Sequence, residues 1–326
     1  MFGRDELPGG AIHRSRDLAT AMIERKEKLF MIDSPNKLAG ALSRRSVLRQ
    51  FAGGALLAAT SSRLGVTLAA PAEPAPLPSE PLISVWEHSA KVDISSIMKE
   101  VGFNTVWTHD KPYSGQKLEE TLMYTHSRTP GVKYIIAKIE RGIWGWKFDQ
   151  AMAHAEWIAN LSLTHKEIIG LYLNDFIEEM EKVDKGGHSE KEFRQIIAKA
   201  KSINPRLPIW VPCYPPQELE KPFDFDIDAI IFSFYNTKVL QDHAKLLDQG
   251  LKKFQGKPLM GSVYLNAGSE GRWLTEQEYK QLLNFFVQDI NEGKLCGLRI
   301  FRVENLQQRP DYAKWAQEAL ANLKRA

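Results

Sequence analysis

From residue 82 to its C-terminal end, the sequence alternates short apolar runs with segments of helical periodicity. Each run is rich in isoleucine, valine and aromatic residues, which is typical of strands buried on both faces of a parallel sheet. This alternation constrains the fold strongly, because consecutive parallel strands need a crossover, usually a helix, between them. The eight runs are Leu82–Trp86, Phe103–Thr108, Lys133–Ile139, Ile168–Asn174, Pro208–Cys213, Ala229–Phe234, Leu259–Leu265 and Gly297–Val303.

The segments between the runs carry apolar stripes at the spacing i, i+3, i+4, i+7. This spacing predicts helices that pack one face against a sheet. Two capping boxes, Ser189-x-x-Glu192 and Thr275-x-x-Glu278, predict where two of these helices begin. The clearest stripes are Phe193, Ile196, Ile197 and Ala200 in one segment, and Tyr279, Leu282, Leu283 and Phe286 in another.

Strand–helix alternation over about 250 residues is the size of one α/β (β/α)8 barrel, the TIM barrel. One crossover, Pro215–Phe225, has room for at most one helical turn and is predicted to be degenerate. The alternative is an open, doubly wound sheet. No Gly-x-Gly-x-x-Gly and no P-loop follows any strand, so the nucleotide-binding versions of that alternative lose support, and no cofactor is predicted.

The N-terminal region has the order of an export signal. Ser43-Arg44-Arg45-Ser46-Val47-Leu48-Arg49 resembles the twin-arginine motif, with Val47 where that family prefers phenylalanine. The apolar run Phe51–Ala59 is too short to be a stable membrane anchor, and Ala70-Pro71-Ala72 offers small residues for cleavage. The resemblance implies export by the Tat translocase to the periplasm or the medium. The alternative is a cytoplasmic protein whose first helix carries two arginines.

These features divide the chain into four segments. Residues 1–42 are predicted to be a disordered extension or the product of a start assigned too early. Residues 43–72 form the cleavable signal peptide, and residues 73–81 form a stiff linker with four prolines. Residues 82–326 form the barrel.

The charge distribution excludes one class of partner. Residues 1–72 hold 11 Lys and Arg against 6 Asp and Glu, so the rest of the chain holds 32 basic against 34 acidic residues. A body with this balance gives no electrostatic support for nucleic-acid binding. The two cysteines, Cys213 and Cys296, are predicted to lie at opposite ends of their strands, so no disulfide is expected.

In a TIM barrel the active site lies at the C-terminal ends of the strands. Several of the runs deliver carboxylates to that end, and glycosidic cleavage usually uses two carboxylates. The candidate catalytic residues among them are Glu140, Asp175 and Glu304. Aromatic and polar side chains there suit the apolar faces and hydroxyls of sugars. The candidate binding residues are Trp86, His88, Trp107, His109, Arg141, Trp146, Asn174, Tyr235, Asn236, Tyr264, Asn266 and Arg302.

Gly170-Leu171-Tyr172-Leu173-Asn174-Asp175 resembles the end of strand four in glycoside-hydrolase-like barrels. In those proteins an asparagine followed by an acidic residue supplies the general acid, so the resemblance assigns that role to Asp175. Ile203–Trp210 is similar to their passage into strand five. The seventh run ends Tyr264-Leu265-Asn266-Ala267-Gly268, without the nucleophilic glutamate of the largest clan.

The resulting hypothesis is an exported barrel that hydrolyses a polysaccharide or glycoconjugate. Asp175 would donate the proton, and Glu304 or Glu140 would be base or nucleophile. One alternative is a carbohydrate-binding barrel without catalysis. Another is a metal-dependent hydrolase built on His88, His109 and Asp110, for which the sequence has no His-Glu-x-x-His or similar motif.

Several of these residues also have structural explanations. Asp175 and Glu178 fit a helix cap with its partner. Glu140-Arg141 could form part of an ion pair, and Arg302 and Glu304 could pair on one strand face. Trp144 and Trp146 could pack over the rim.

Overall fold

The computed structural model describes residues 73–86, 94–108, 119, 121–266 and 270–324. The predicted extension and signal peptide lie outside the described residues, as do His88, His109 and Asp110. Within the described part of the chain, no helix is long and apolar enough to span a bilayer.

Eight parallel strands close on themselves in the order β1 to β8, each paired with its neighbours along the chain. The predicted (β/α)8 TIM barrel is therefore confirmed. The strands are β1 Leu82–Trp86, β2 Thr105–Thr108, β3 Tyr134–Ile139, β4 Ile168–Leu173, β5 Ile209–Cys213, β6 Ala229–Phe234, β7 Leu259–Tyr264 and β8 Gly297–Phe301.

Helices cover the outside of the barrel. Both predicted capping boxes begin a helix: the Ser189 hydroxyl accepts from the backbone N–H of Glu192, and the Thr275 hydroxyl accepts from that of Glu278. The helices are α1 Ser95–Val101, α2 Leu122–Ser127, α3 Phe148–Thr164, α4 Phe176–Glu181, α5 Glu190–Ile203, α6 His243–Lys253, α7 Glu276–Asn291, α8 Val303–Gln308 and α9 Pro310–Leu320.

The β5–β6 crossover is degenerate, as predicted, because it holds only the short 3-10 helix Gln217–Glu220.

The C-terminal end of β8 differs from the predicted end at Val303. The strand ends at Phe301, since Arg302 adopts φ 71° and turns the chain into α8. Glu304 therefore lies in a helix, and the expected pairing with Arg302 across one strand face does not apply.

Side chains alternate between two apolar layers. Outward residues of the strands pack with the helices, as Ile83 and Val85 of β1 do. Inward residues such as Trp86 and Trp107 fill the barrel interior together with Tyr172 and Trp210. Gly170 of β4 makes room for this packing, since a Cβ there would collide with the Trp210 indole.

The two cysteines are both free, as expected. Cys213 is the last residue of β5, and Cys296 directly precedes β8. They therefore occupy opposite ends of their strands.

Candidate active site

A cavity of about 690 Å³ opens at the C-terminal ends of the strands. Its walls combine aromatic rings, carboxylates and cations. The residues that line it include Trp86, Lys138, Trp144, Asn174, Asp175, Glu178, Tyr214, Glu218, Tyr235, Tyr264, Arg299 and Arg302.

Asp175 directly follows β4 and has a strained backbone, with φ 44° and ψ 40°. Among the described non-glycine residues, only Asp175 and Arg302 have a positive φ, and both line this cavity. Such conformations are costly for ordinary residues and concentrate at functional sites. The predicted cap is wrong: Asp175 is the residue before α4, but its carboxylate makes no cap hydrogen bond.

The Asp175 carboxylate bonds instead to two other strand ends. Oδ2 accepts from Nη1 of Arg141 at 2.7 Å, and Oδ1 accepts from the Tyr214 hydroxyl at 2.7 Å. The Tyr214 hydroxyl also lies 2.9 Å from that of Tyr264. Residues following β3 and β4 and residues at the ends of β5 and β7 thus converge on one carboxyl group.

Arg141 joins three carboxylates of α4 and its cap. Besides Asp175, its guanidinium donates to Glu178 at 2.7 Å and to Glu179 at 3.0 Å. The alternative that Glu140 and Arg141 form ion pairs holds for both residues. Arg141 pairs with these three carboxylates, and Glu140 forms a buried ion pair with Lys138. Arg141 does not line the cavity, but its hydrogen bond to Asp175 fixes the position of a carboxylate that does.

Glu179 anchors the loop around this network. Its side chain is 0% exposed and bonds Arg141 through Oε1. Its Oε2 accepts from the backbone N–H groups of Gly142 at 2.8 Å and His188 at 3.2 Å. The buried carboxylate is therefore fully compensated, as buried charges must be.

The carboxyl groups of the cavity differ in their pKa values. Burial raises the pKa of Asp175, and the nearby Glu178 adds to the rise, against the opposing effects of Arg141 and Tyr214. Burial would also raise the pKa of Glu178, but Lys182 and Arg141 outweigh it and lower that pKa. Environments that separate two pKa values in this way can divide acid and base roles between the groups.

Glu218 is a further acidic group that the sequence interpretation missed. It lies in the 3-10 helix after β5, and its Oε2 accepts from the backbone N–H of Tyr214 at 2.8 Å. Burial raises the pKa of Glu218 to about 8, and the charges of Asp175, Glu181 and Glu178 contribute to the rise. Glu218 is therefore protonated at neutral pH.

This raised pKa predicts a pH-dependent stability. The unfolded chain releases the Glu218 proton near 4.5, whereas the folded chain holds it to about 8. The contribution of Glu218 to stability is therefore complete below 4.5 and is lost as the pH rises to about 8. We expect Glu218→Gln, which cannot ionise, to gain stability relative to the wild type across this range in urea unfolding. Parallel stability curves for the two proteins would contradict the raised pKa.

The structure brings six of the predicted site residues together around the cavity. They are Trp86, Asn174, Asp175, Tyr235, Tyr264 and Arg302.

The other described candidates lie elsewhere. Trp107 is buried inside the barrel, where its indole contacts Tyr172 and Trp210, so it offers no face to a ligand. Trp146 packs on His154 of α3. Glu140 and Glu304 do not line the cavity.

Two asparagines that were predicted to bind sugar, Asn236 and Asn266, also lie outside the cavity. The Asn236 side chain caps the 3-10 helix Thr237–Val239 by accepting from the Val239 N–H at 3.2 Å. Asn266 is exposed and forms a bridge with Trp273. Neither lines the cavity.

Two further residues of the cavity, Arg299 and Trp144, were not among the predicted site residues. Arg299 lies at an inward position of β8, two residues from Gly297 and two from Phe301, so strict alternation would have placed a cation inside the barrel. Trp144, in the loop after β3, was considered for packing over the rim, but it lines the cavity and is 56% exposed. Within the described residues, no group of three or more His, Cys, Asp or Glu side chains is arranged to hold a metal ion.

No protein-family model and no curated protein matches the sequence. The fold is similar to that of a GH113 β-1,4-mannanase (TM-score 0.51, 10% identity, 72% of this chain and 97% of that chain). It is also similar to the GH113 β-mannanase AaManA from Alicyclobacillus acidocaldarius (0.51, 11%, 74% and 98%). A third neighbour is a GH2 β-galacturonidase from Eisenbergiella tayi (0.51, 12%, 76% and 52%).

The chain thus has the barrel fold found in glycoside hydrolases. The predicted resemblance to glycoside-hydrolase-like barrels is therefore confirmed for the fold. At these identities, the likeness shows the fold alone, because one fold can carry many different functions.

Proposed function

We propose that the cavity binds carbohydrate and hydrolyses a glycosidic bond by acid/base chemistry. The observation that carries the proposal is the placement of Asp175. A strained carboxyl group at the end of β4, with a pKa raised by burial, lies among the aromatic rings of a cavity at the C-terminal ends of the strands. That combination suits protonation of a leaving-group oxygen next to a stacked sugar ring.

In this mechanism Asp175 gives its proton to the glycosidic oxygen as the bond to the anomeric carbon breaks. Glu178, whose lowered pKa keeps it charged, takes a proton from the attacking water. Arg141 holds both carboxylates on one guanidinium and so fixes their relative position. Glu218, protonated at neutral pH, is the second candidate for the donor.

The test is release of reducing ends from a panel of plant and bacterial polysaccharides by the full chain. We expect at least one polysaccharide to be cleaved, with a rate that falls as the pH rises through the pKa of the donor. A complete absence of products from the panel, combined with measurable binding, would favour the second candidate function.

That second function is carbohydrate binding without turnover. It is favoured by β7, which ends at Tyr264 and contributes no carboxylate to the cavity, and by the engagement of both Asp175 oxygens in hydrogen bonds. The aromatic walls would serve such a protein equally well.

Trp144 provides a prediction that is common to both functions. Its ring is the exposed tryptophan of the cavity and lies 4.8 Å from the Arg141 guanidinium. We expect Trp144→Ala to weaken oligosaccharide affinity about 3- to 10-fold, because a stacked ring contributes on the order of 0.5–1.5 kcal/mol. Calorimetric titration measures the loss. An unchanged affinity with an unchanged melting temperature would remove Trp144 from the binding surface.

We also propose that the protein is exported through the twin-arginine route, on the strength of Arg44-Arg45 and the segment that follows. Replacing both arginines with lysine in the full chain is expected to retain the protein in the cytoplasm at its precursor mass. Fractionation with immunoblotting measures the distribution. Undiminished export of the double variant, or export in cells that lack the translocase, would contradict this route.

A further inference from the structure

Arg299 is a buried cation at the floor of the cavity. Its side chain is 0% exposed although the residue lines the cavity wall. Nε donates to the Ser262 hydroxyl at 3.0 Å, which fixes the plane of the guanidinium. Nη1 and Nη2 have no hydrogen-bond acceptor among the described residues.

Aromatic rings form the surroundings of this guanidinium. Its central carbon lies 5.0 Å from the Trp86 ring, 5.2 Å from that of Trp107 and 5.6 Å from that of Tyr172. Such rings attract a cation through their faces but accept no conventional hydrogen bond in its plane. The two terminal nitrogens therefore make no hydrogen bond of good geometry, and the polar group beside them is the Tyr172 hydroxyl, which, against the opposing effect of burial, raises the pKa of Arg299.

Other cations lie near Arg299 at the cavity floor. Lys138 lies 4.8 Å from the same Trp86 ring, and its one carboxylate partner among the described residues is Glu140. The nearby charge of Asp175 acts on Arg299 without a direct ion pair, because the Asp175 oxygens are bonded to Arg141 and Tyr214. Arg302, which also lines the cavity, has a buried Nε without an acceptor in the described part of the chain.

Taking a charge out of water without a counter-ion destabilises the folded chain, and an unmet buried donor adds to that effect. An apolar side chain such as methionine would carry neither penalty. The presence of a buried, unpaired guanidinium is explained if a ligand supplies the missing hydrogen-bond acceptors. A planar guanidinium with two free terminal nitrogens matches a group with two coplanar oxygens.

We propose that Arg299 is the binding residue for an oxyanion, and that the carbohydrate taken by this cavity carries it as the carboxylate of an acidic sugar. The identification of the ligand as a carbohydrate rests on the proposed function, whereas the oxyanion site at Arg299 does not. Phosphate or sulfate offers the same oxygen geometry to Nη1 and Nη2, so the shared chemistry is an oxyanion at the cavity floor.

The experiment uses calorimetric titration of the full chain at low salt, with acidic oligosaccharides as probes. These are tetragalacturonate, a tetramannuronate and a hyaluronan tetrasaccharide, each compared with its fully methyl-esterified form. Inorganic phosphate is a separate arm. The variants are Arg299→Met and, as the matched control, Arg206→Met, in which the arginine is exposed in the loop before β5 at the opposite end of the barrel.

We expect at least one acidic probe to bind ten-fold or more tightly than its ester. This preference should disappear in Arg299→Met and persist in Arg206→Met. If Arg299→Met does not fold, Arg299→Lys should keep a preference for the acid that is smaller than that of the wild type. Phosphate that competes with the acidic probe extends the site to free oxyanions, and phosphate that does not compete assigns it to acidic sugars.

Equal affinity of the wild type for every acid and its ester would overturn the proposal, and so would failure of all the anions to bind. The outcome is separable from that of the proposed function. Acidic probes that bind, together with an absence of products from the whole polysaccharide panel, leave Arg299 assigned and remove the hydrolase. A neutral polysaccharide that is cleaved, without any effect of Arg299→Met, does the reverse.

Discussion

Asp175→Asn is expected to lower the rate of glycoside hydrolysis by about 10²–10⁴-fold, the usual contribution of a general acid. Asparagine keeps the size of the side chain and one oxygen for the Arg141 hydrogen bond, whereas its NH2 group replaces the oxygen that accepts from Tyr214. It has no acidic proton to give. Oligosaccharide affinity should stay within about threefold, since the aromatic walls are unchanged. Initial rates and calorimetric titration measure the two quantities separately.

The matched control for this prediction is Asp184→Asn. Asp184 is exposed in the 3-10 helix Val183–Lys185, after α4, and does not line the cavity. It should retain the rate of the wild type. Hydrolysis at an undiminished rate in Asp175→Asn would take Asp175 out of the chemistry and turn attention to Glu218.

Glu179→Gln is expected to lower the free energy of unfolding by about 3–5 kcal/mol, the range for breaking a buried charge pair. Glu179 is fully buried and compensates Arg141 while it accepts from Gly142 and His188. A neutral amide would leave part of the Arg141 charge unmet and would present an NH2 group where an acceptor is needed. Urea unfolding measures the change.

Glu181→Gln is the comparison for Glu179. Glu181 is exposed and pairs with Lys221 at 2.6 Å, so we expect its loss to cost no more than about 1 kcal/mol. If both variants unfolded at the same urea concentration, the network around Arg141 would not be the anchor of this end of the barrel.

The fold could be predicted from the sequence because its signals are local and repeated. All eight strands were expected within two residues of their observed ends, since each is an apolar run bounded by polar residues. The capping boxes at Ser189 and Thr275 depend only on spacing along one helix, so they too could be identified. The end of β8 was predicted two residues too late, because no sequence pattern indicates the positive φ of Arg302.

The candidate site could be predicted only in part. Asp175 was identified from its place after β4, but its partners Arg141 and Tyr214 follow other strands, and sequence spacing does not encode the contacts between them. Trp107 was expected at the rim because it nearly ends its strand, yet it points inward and fills the barrel. Glu218 lies in a crossover without periodic pattern, and its raised pKa comes from burial, which only the folded chain defines.

The central claim is that a sugar ring binds at the C-terminal end of the barrel with its scissile bond beside residue 175. Crystals of Asp175→Asn, soaked with the acidic and neutral oligosaccharides above, test it most directly. We predict electron density for a sugar stacked near Trp144, with a glycosidic oxygen within about 3 Å of the residue 175 side chain, the hydrogen-bond distance a proton donor needs. Sugar bound only on the outer helices, with the cavity empty at saturating ligand, would contradict the account.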